Sequence, residues 1–245
     1  FKDRSDQNKL RYTLVFADRG VIYDRNEVSL AWNNPEREYI KAPGFSHVLG
    51  YIGFPNEIEL ENKDFDPKEY IGKNGVENTF NDLLMGQRGI RIEEKDATGA
   101  VETDHVLQNP EPGESITLSI DSRVQAKFFS IIKEVASEND FAGGAAAIMD
   151  IHTGEVISLV SFPEYDSNIL ASGKDRTAIN GFINNPDKPF LNRVVSGLYA
   201  PGSIVKPFVG LAALHENIIS PNKYIFTNGT LVVPNRYFPD KPTTY

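Results

Sequence analysis

The 245 residues are 40% hydrophobic and 24% charged, the balance of a chain that buries a core, which excludes a disordered or collagen-like protein. Cysteine is absent, so thiol catalysis, zinc ribbons and iron–sulfur ligation are excluded, and a chain of this length can hold its core without disulfides. With 25 basic and 34 acidic residues the formal charge is −9, which repels a phosphate backbone and argues against a nucleic-acid partner. The longest apolar stretches, Phe141 to Met149 and Phe208 to Leu214, fall well short of the roughly 18 residues that cross a bilayer. The start, Phe1 to Asp6, is polar and shows no signal peptide, so any leader or membrane helix is expected ahead of residue 1.

In chain order, Arg11 to Phe16 and Gly20 to Tyr23 carry strand-type residues, with Asp24-Arg25-Asn26 as a turn. Val76, Phe80, Leu83 and Leu84 recur at helical spacing up to Gly86, which predicts one short helix. Asn109-Pro110-Glu111-Pro112-Gly113 interrupts regular structure and is the expected domain boundary, dividing the chain into 1–112 and 113–245. Ser115 to Ile120 alternates like a strand. Ser122 with Gln125 matches a capping box, which predicts a helix whose stripe is Val124, Phe128, Ile131 and Val135. Gly144 to Met149 and Val156 to Val160 predict a hairpin, turning where Gly154 can take a positive φ. The run from Pro163 to Asn192, rich in Asn, Asp, Pro and Gly, is expected to be a long loop that frames a site. The fold class is α+β.

Three Ser-x-x-Lys pairs occur, the spacing used by active-serine acyl transferases: Ser130 with Lys133, Ser203 with Lys206, and Ser220 with Lys223. Ser130 falls mid-helix, where its hydroxyl back-bonds or faces solvent, and Ser220-Pro221-Asn222 reads as a turn. Ser203 follows Pro201-Gly202 and precedes an apolar run, so it belongs at a helix entrance expected near Ser203 itself, with Pro207 in the first turn. There Lys206 lies over the serine and, if desolvated, can take its proton, while the Ser203 N–H can donate to an oxyanion. The competing reading is a serine cap beside a solvated lysine. Gly72-Lys73-Asn74-Gly75 lacks the ending of a phosphate loop. The four histidines lack metal-ligand spacing, so no metal and no cofactor are expected.

A wider set of motifs carries a resemblance. Arg19 to Asn26, Gly72 to Glu77 with Gly86 to Gly89, Ser119-Ile120-Asp121, Asp150 to Val156, Ser161-Phe162-Pro163, Asp166-Ser167-Asn168, and Leu191-Asn192-Arg193 ahead of Pro201-Gly202-Ser203 are similar to class B penicillin-binding proteins of the penicillin-binding protein 2 type. The resemblance implies an extended mixed pedestal of the dimerisation type at 1–112 and the front part of a serine transpeptidase domain at 113–245. It also implies a peptidoglycan D,D-transpeptidase of cell elongation, with Ser203 as nucleophile on the D-Ala-D-Ala stem peptide, Lys206 as base, and β-lactams as inhibitors. Its partners would be a SEDS-type glycan polymerase and the rod-shape scaffold. Its place would be the extracytoplasmic, periplasmic face of the membrane, reached through an amino-terminal helix outside this chain.

Four departures qualify the match. Glu27 stands where the family usually has glycine, so that turn is expected to be built differently, and Ile204-Val205 replaces threonine and an aromatic between serine and lysine. The family's later Ser-x-Asn and Lys-Thr-Gly motifs do not follow Ser203 in a usable place. Ser137-Glu138-Asn139, His152-Thr153-Gly154 and Ser220-Pro221-Asn222 are decoys. Residues 1–245 alone are therefore expected to be inactive, with the stripe from Val124 to Val135 only partly covered. Two alternatives remain, a non-catalytic pedestal that regulates a partner polymerase and a β-lactam sensor or β-lactamase relative.

Overall fold

The computed structural model describes residues 9–62, 64–95, 101–224, 226, 229–230, 232–233, 235–238 and 242–244. The first half contains β1 (Lys9–Val15), β2 (Ile22–Tyr23), β3 (Ser29–Asn34), β4 (Glu36–Tyr39), α1 (Ser46–Leu49), β5 (Ile52–Gly53), α2 (Glu57–Asn62), β6 (Ile71–Gly72), α3 (Gly75–Thr79), α4 (Asn81–Leu84), β7 (Gly89–Lys95), β8 (Val101–Gln108) and β9 (Ile116–Thr117). Then come α5 (Ser122–Glu138), β10 (Gly144–Met149), β11 (Val156–Phe162), α6 (Ser167–Ser172), α7 (Arg176–Ile183), α8 (Arg193–Ser196), α9 (Lys206–His215), β12 (Val232–Val233) and β13 (Thr243–Thr244). Two compact units divide between Gly197 and Leu198. Among the described residues no helix is long and apolar enough to cross a membrane.

In the first unit β1, β7 and β8 form one antiparallel sheet, with Tyr12 opposite Ile92 and Leu14 opposite Ile90. A second sheet runs β4-β3-β2-β9, and β9 joins it parallel to β2. The segment 109–113, where the domain boundary is expected, is bonded to its neighbours. Gln87 and Glu111 exchange backbone bonds at 2.9 Å, and the Gly113 N–H reaches the Asp18 carbonyl at 2.9 Å. A Cβ on Gly113 would lie 1.8 Å from the Leu84 oxygen, so only glycine allows this approach. The core follows the same path: Ile22, Leu30, Leu49 and Leu84 are fully buried, and Ile120 and Ala171 join their cluster from the later part of the chain.

Five sequence expectations are corrected. The helix expected at 76–84 is two short helices, α3 and α4, that meet at Phe80, where the Glu77 carbonyl accepts from the Arg19 guanidinium at 2.9 Å; Glu77 and Asn81 are buried while Phe80 and Leu83 stay exposed. The cap of α5 is Asp121, not Ser122: its carboxylate accepts from the N–H groups of Arg123 (3.0 Å) and Val124 (3.2 Å). The buried face of α5 is Gln125, Phe129 and Ala136, one residue round from the expected stripe, which leaves Ile131 and Val135 exposed. The segment from Pro163 to Asn192 holds α6 and α7, each started by an aspartate cap, Asp166 and Asp175. The Glu27 turn keeps the left-handed conformation (φ 64°) without a glycine. It is held because Asp24 Oδ1 accepts from the N–H groups of both Asn26 (2.7 Å) and Val28 (2.9 Å). The hairpin of β10 and β11 forms as expected, and Gly154 takes φ 78° in its turn.

Candidate active site

Ser203 lies in a 3-10 helix, Gly202–Val205, and Lys206 is the first residue of α9. The α-helical start expected at Ser203 is thus a tighter turn. Val205 offers no capping side chain, and 3-10 bonds meet orphan N–H groups at such an entrance. The Lys206 N–H donates to the Ser203 carbonyl, and this i to i+3 pattern sets side chains three apart above one another. Pro207 sits in the first turn of α9, where its missing N–H is not needed. Ser203 and Lys206 are both exposed, and among the described residues no hydrogen bond links their side chains. In the second unit no residue of α9 is buried; Phe208, Val209 and Leu211 all face outward.

The other two Ser-x-x-Lys serines have local structural roles. The Ser130 hydroxyl donates to the Ala126 carbonyl at 2.9 Å. Ser220 closes a turn, its Oγ accepting from the Asn222 N–H at 3.3 Å and its carbonyl from the Lys223 N–H at 3.0 Å. Asn139 ends α5 by bonding the Val135 carbonyl. Among the described residues no group of three or more His, Asp or Glu could hold a metal ion.

In the first unit polar contacts tie the early motifs to the later ones. Glu77, fully buried, accepts from Arg19 Nε at 2.6 Å and Arg37 Nε at 2.7 Å. Arg19 also donates to Asn81 Oδ1 at 3.0 Å, and Arg37 to the Gly20 carbonyl at 2.8 Å. Asp24 Oδ2 accepts from the Ser122 N–H at 3.0 Å, while Asn26 donates to Asp121 Oδ2 at 3.0 Å. The Arg123 guanidinium beside Asp121, with Asn26 and two backbone N–H groups, holds that carboxyl down at about 2, against burial. Burial works the other way at Glu164, pushing its carboxyl up, although Gly44 and Ser46 donate their N–H groups to it at 2.6 and 3.0 Å.

Ahead of the serine, the Arg193 N–H donates to Ser161 Oγ (3.0 Å) and its guanidinium to the carbonyls of Lys188 (3.2 Å) and Asp187. Arg37 was not legible as a partner of Glu77. The available signal was an arginine alternating with Tyr39 on one strand face, which must find acceptors if that face is buried.

Residues 33–118 match the Penicillin-binding Protein dimerisation domain, and residues 144–244 match the Penicillin binding protein transpeptidase domain. The chain belongs to the penicillin-binding proteins of the penicillin-binding protein 2 type, and carries the pedestal with the front part of the transpeptidase domain. It is 31% identical over 227 residues to the peptidoglycan D,D-transpeptidase MrdA of Haemophilus influenzae, covering 90% of this chain and 33% of that protein. The crystal structure of Pseudomonas aeruginosa PBP2 in complex with WCK 5153 aligns with TM-score 0.72 and 35% identity over 95% of this chain and 47% of that one. A Helicobacter pylori PBP2 in complex with MreC shares the fold, with TM-score 0.67 and 22% identity over 92% of this chain and 56% of that one. The chain therefore spans about a third of the curated relative and about half of the solved ones.

Proposed function

We propose that the complete protein is a peptidoglycan D,D-transpeptidase of cell elongation, with Ser203 as nucleophile and Lys206 as its base. The observation that carries this reading is the placement of Ser203 one tight turn before Lys206 at the entrance of α9, inside the segment that matches the transpeptidase model. The Ser203 oxygen attacks the carbonyl between the two terminal D-alanines, and its proton passes to the Lys206 amine. The tetrahedral oxyanion collapses, the C–N bond breaks, and the last D-alanine leaves with that proton as a free amine. The acyl group on Ser203 then passes to an acceptor amine, or remains on the enzyme when a β-lactam has opened instead.

Lysine is a base only when its amine is neutral, and burial favours that state. Lys206 is exposed in the 198–245 unit. The enclosing surface, the Ser-x-Asn partner and the Lys-Thr-Gly strand are therefore assigned to the further transpeptidase chain that the longer relatives have. In this reading 1–112 is the pedestal and 113–245 the front of the catalytic domain, the family models leaving 119–143 to either. An extracytoplasmic place behind an amino-terminal membrane helix, a SEDS-type polymerase and a rod-shape scaffold such as the MreC bound to the Helicobacter pylori relative belong to the same proposal. Labelling the complete protein with a fluorescent penicillin and mapping the adduct by mass spectrometry tests it. Adduct on Ser203 is expected; adduct on Ser130 or Ser220, or label that persists in Ser203→Ala, refutes the assignment.

A further inference from the structure

Arg193 opens α8 and is buried, with 8% of its surface exposed. A buried cation is costly unless hydrogen bonds replace its water. Among the described residues its guanidinium bonds no carboxylate; its acceptors are the main-chain carbonyls of Lys188, at 3.2 Å, and Asp187. The Arg193 N–H donates to Ser161 Oγ at 3.0 Å, and the same hydroxyl donates to the Leu191 carbonyl at 3.1 Å. Ser161 is itself buried near the end of β11. Asn192 caps α8, its side chain accepting from the Val194 N–H at 3.2 Å.

The loop before α8 is held from both sides. Lys188 takes a left-handed backbone, φ 50°, which an L-residue rarely adopts. Pro189 is fully buried, and Phe190 stacks on Tyr165 with centroids 5.0 Å apart. Tyr165 in turn donates to the Ser46 carbonyl at 2.8 Å. A strained residue persists only where its surroundings over-determine it, and such residues gather at functional sites. What this clamp holds is the point where the chain leaves the first unit. That unit ends at Gly197, directly after α8, and only Leu198-Tyr199-Ala200-Pro201-Gly202 separates it from Ser203. A tether this short, stiffened by proline, carries a shift at its start to its end. No residue of the Ser203 turn or of α9 is buried, so packing within the second unit does not fix the serine.

We propose that Arg193 is a positioning residue for acylation: by clamping Asp187, Lys188 and the head of α8, it fixes where the segment that carries Ser203 begins. This role rests on the reading of Ser203 as nucleophile and involves no contact with substrate. Acylation is sensitive to such placement, since a misplacement of about 1 Å costs up to roughly 10²-fold in rate. Lysine cannot replace the arginine, because a single ammonium lacks the planar fork that reaches two carbonyls at once.

Labelling the complete protein with a fluorescent penicillin over a range of concentrations separates the affinity of the first complex from the rate constant of acylation. In Arg193→Lys that rate constant is expected to fall between about ten- and a hundredfold, with affinity within a few fold of wild type and every folded molecule labelled in the end. A residue that only supports the fold would instead lower the melting midpoint and the labelled fraction while leaving the rate constant of the labelled molecules unchanged. That result overturns the proposal. Should Arg193→Lys not fold, Ser161→Ala, which removes only the hydroxyl at the head of α8, takes its place, and an unchanged rate constant there overturns the proposal as well. Mapping the wild-type adduct separates the two readings. Adduct away from Ser203 removes both, whereas adduct on Ser203 with unchanged rates in the variants removes only the role of Arg193.

Discussion

The Gln125 side chain donates to the carbonyl of Gly44, 81 positions earlier in the chain, and so fastens α5 to the loop before α1. The same amide nitrogen donates to the Leu159 carbonyl (2.7 Å), and its oxygen accepts from the Leu159 N–H and the Ser158 hydroxyl, both at 2.8 Å. One fully buried amide thus joins three stretches of chain. Gln125→Leu keeps the volume but leaves these groups without partners inside the core. The expected loss is roughly 2–4 kcal/mol of unfolding free energy, read by urea denaturation; a loss below about 0.5 kcal/mol would show that the bridge adds nothing.

Glu77 receives both Arg19 and Arg37 in a dry site. Glu77→Gln leaves two buried guanidiniums facing no charge, and breaking a buried pair in this way costs about 3–5 kcal/mol. Thermal melting should drop accordingly. An unchanged midpoint would mean that water reaches the arginines.

Glu27 holds a left-handed backbone that costs an L-residue about 1–2 kcal/mol. Glu27→Gly relieves this strain and loses some unfolded-state restriction, so a net gain of about 0.5–1 kcal/mol is expected. A fall in the melting midpoint would indicate that the Glu27 side chain makes a stabilising contact.

Burial pushes the His47 imidazole down from 6.5 to about 4, and the positive charge of Arg193 acts in the same direction. Between those values the unfolded chain binds more protons than the folded one. Stability therefore rises with pH across this window and falls as pH drops from about 6.5 toward 4, by up to roughly 3 kcal/mol. The ring stands edge-on to Tyr165, with centroids 5.2 Å apart, so His47→Phe should keep the packing while flattening the slope. Identical slopes in the two proteins would exclude His47 as the cause.

Lys206→Arg keeps a cation at this position but cannot take the proton that the proposed base would accept, since guanidinium stays protonated. In the complete protein the acylation rate should fall roughly 10²–10⁴-fold at unchanged melting temperature. A rate within a few fold of wild type would make Lys206 a structural residue.

The local signals read correctly from sequence were those whose cause lies within a few residues. The apolar runs at 144–149 and 156–160, the turn at Gly154, the back-bonded Ser130 and the Ser220 turn all depend on neighbours close in the chain, and the structure places them as expected. What tertiary structure decided was which polar side chains go inside. Hydrophobic spacing assigned α5 the face of Val124 and Phe128, but Gly44 and Leu159 present backbone groups that need partners, and the helix turns Gln125 toward them instead. In the same way Arg19, ahead of β2, and Arg37, on β4, meet at Glu77 and hold it inside with Asn81, a face that the apolar spacing of 76–84 did not assign. At Ser203 the sequence carries the serine, the lysine three residues on and the helix entrance, because these sit within one turn. The desolvation that the proposed base role requires would have to come from surfaces distant in the chain, and no spacing of residues can encode it.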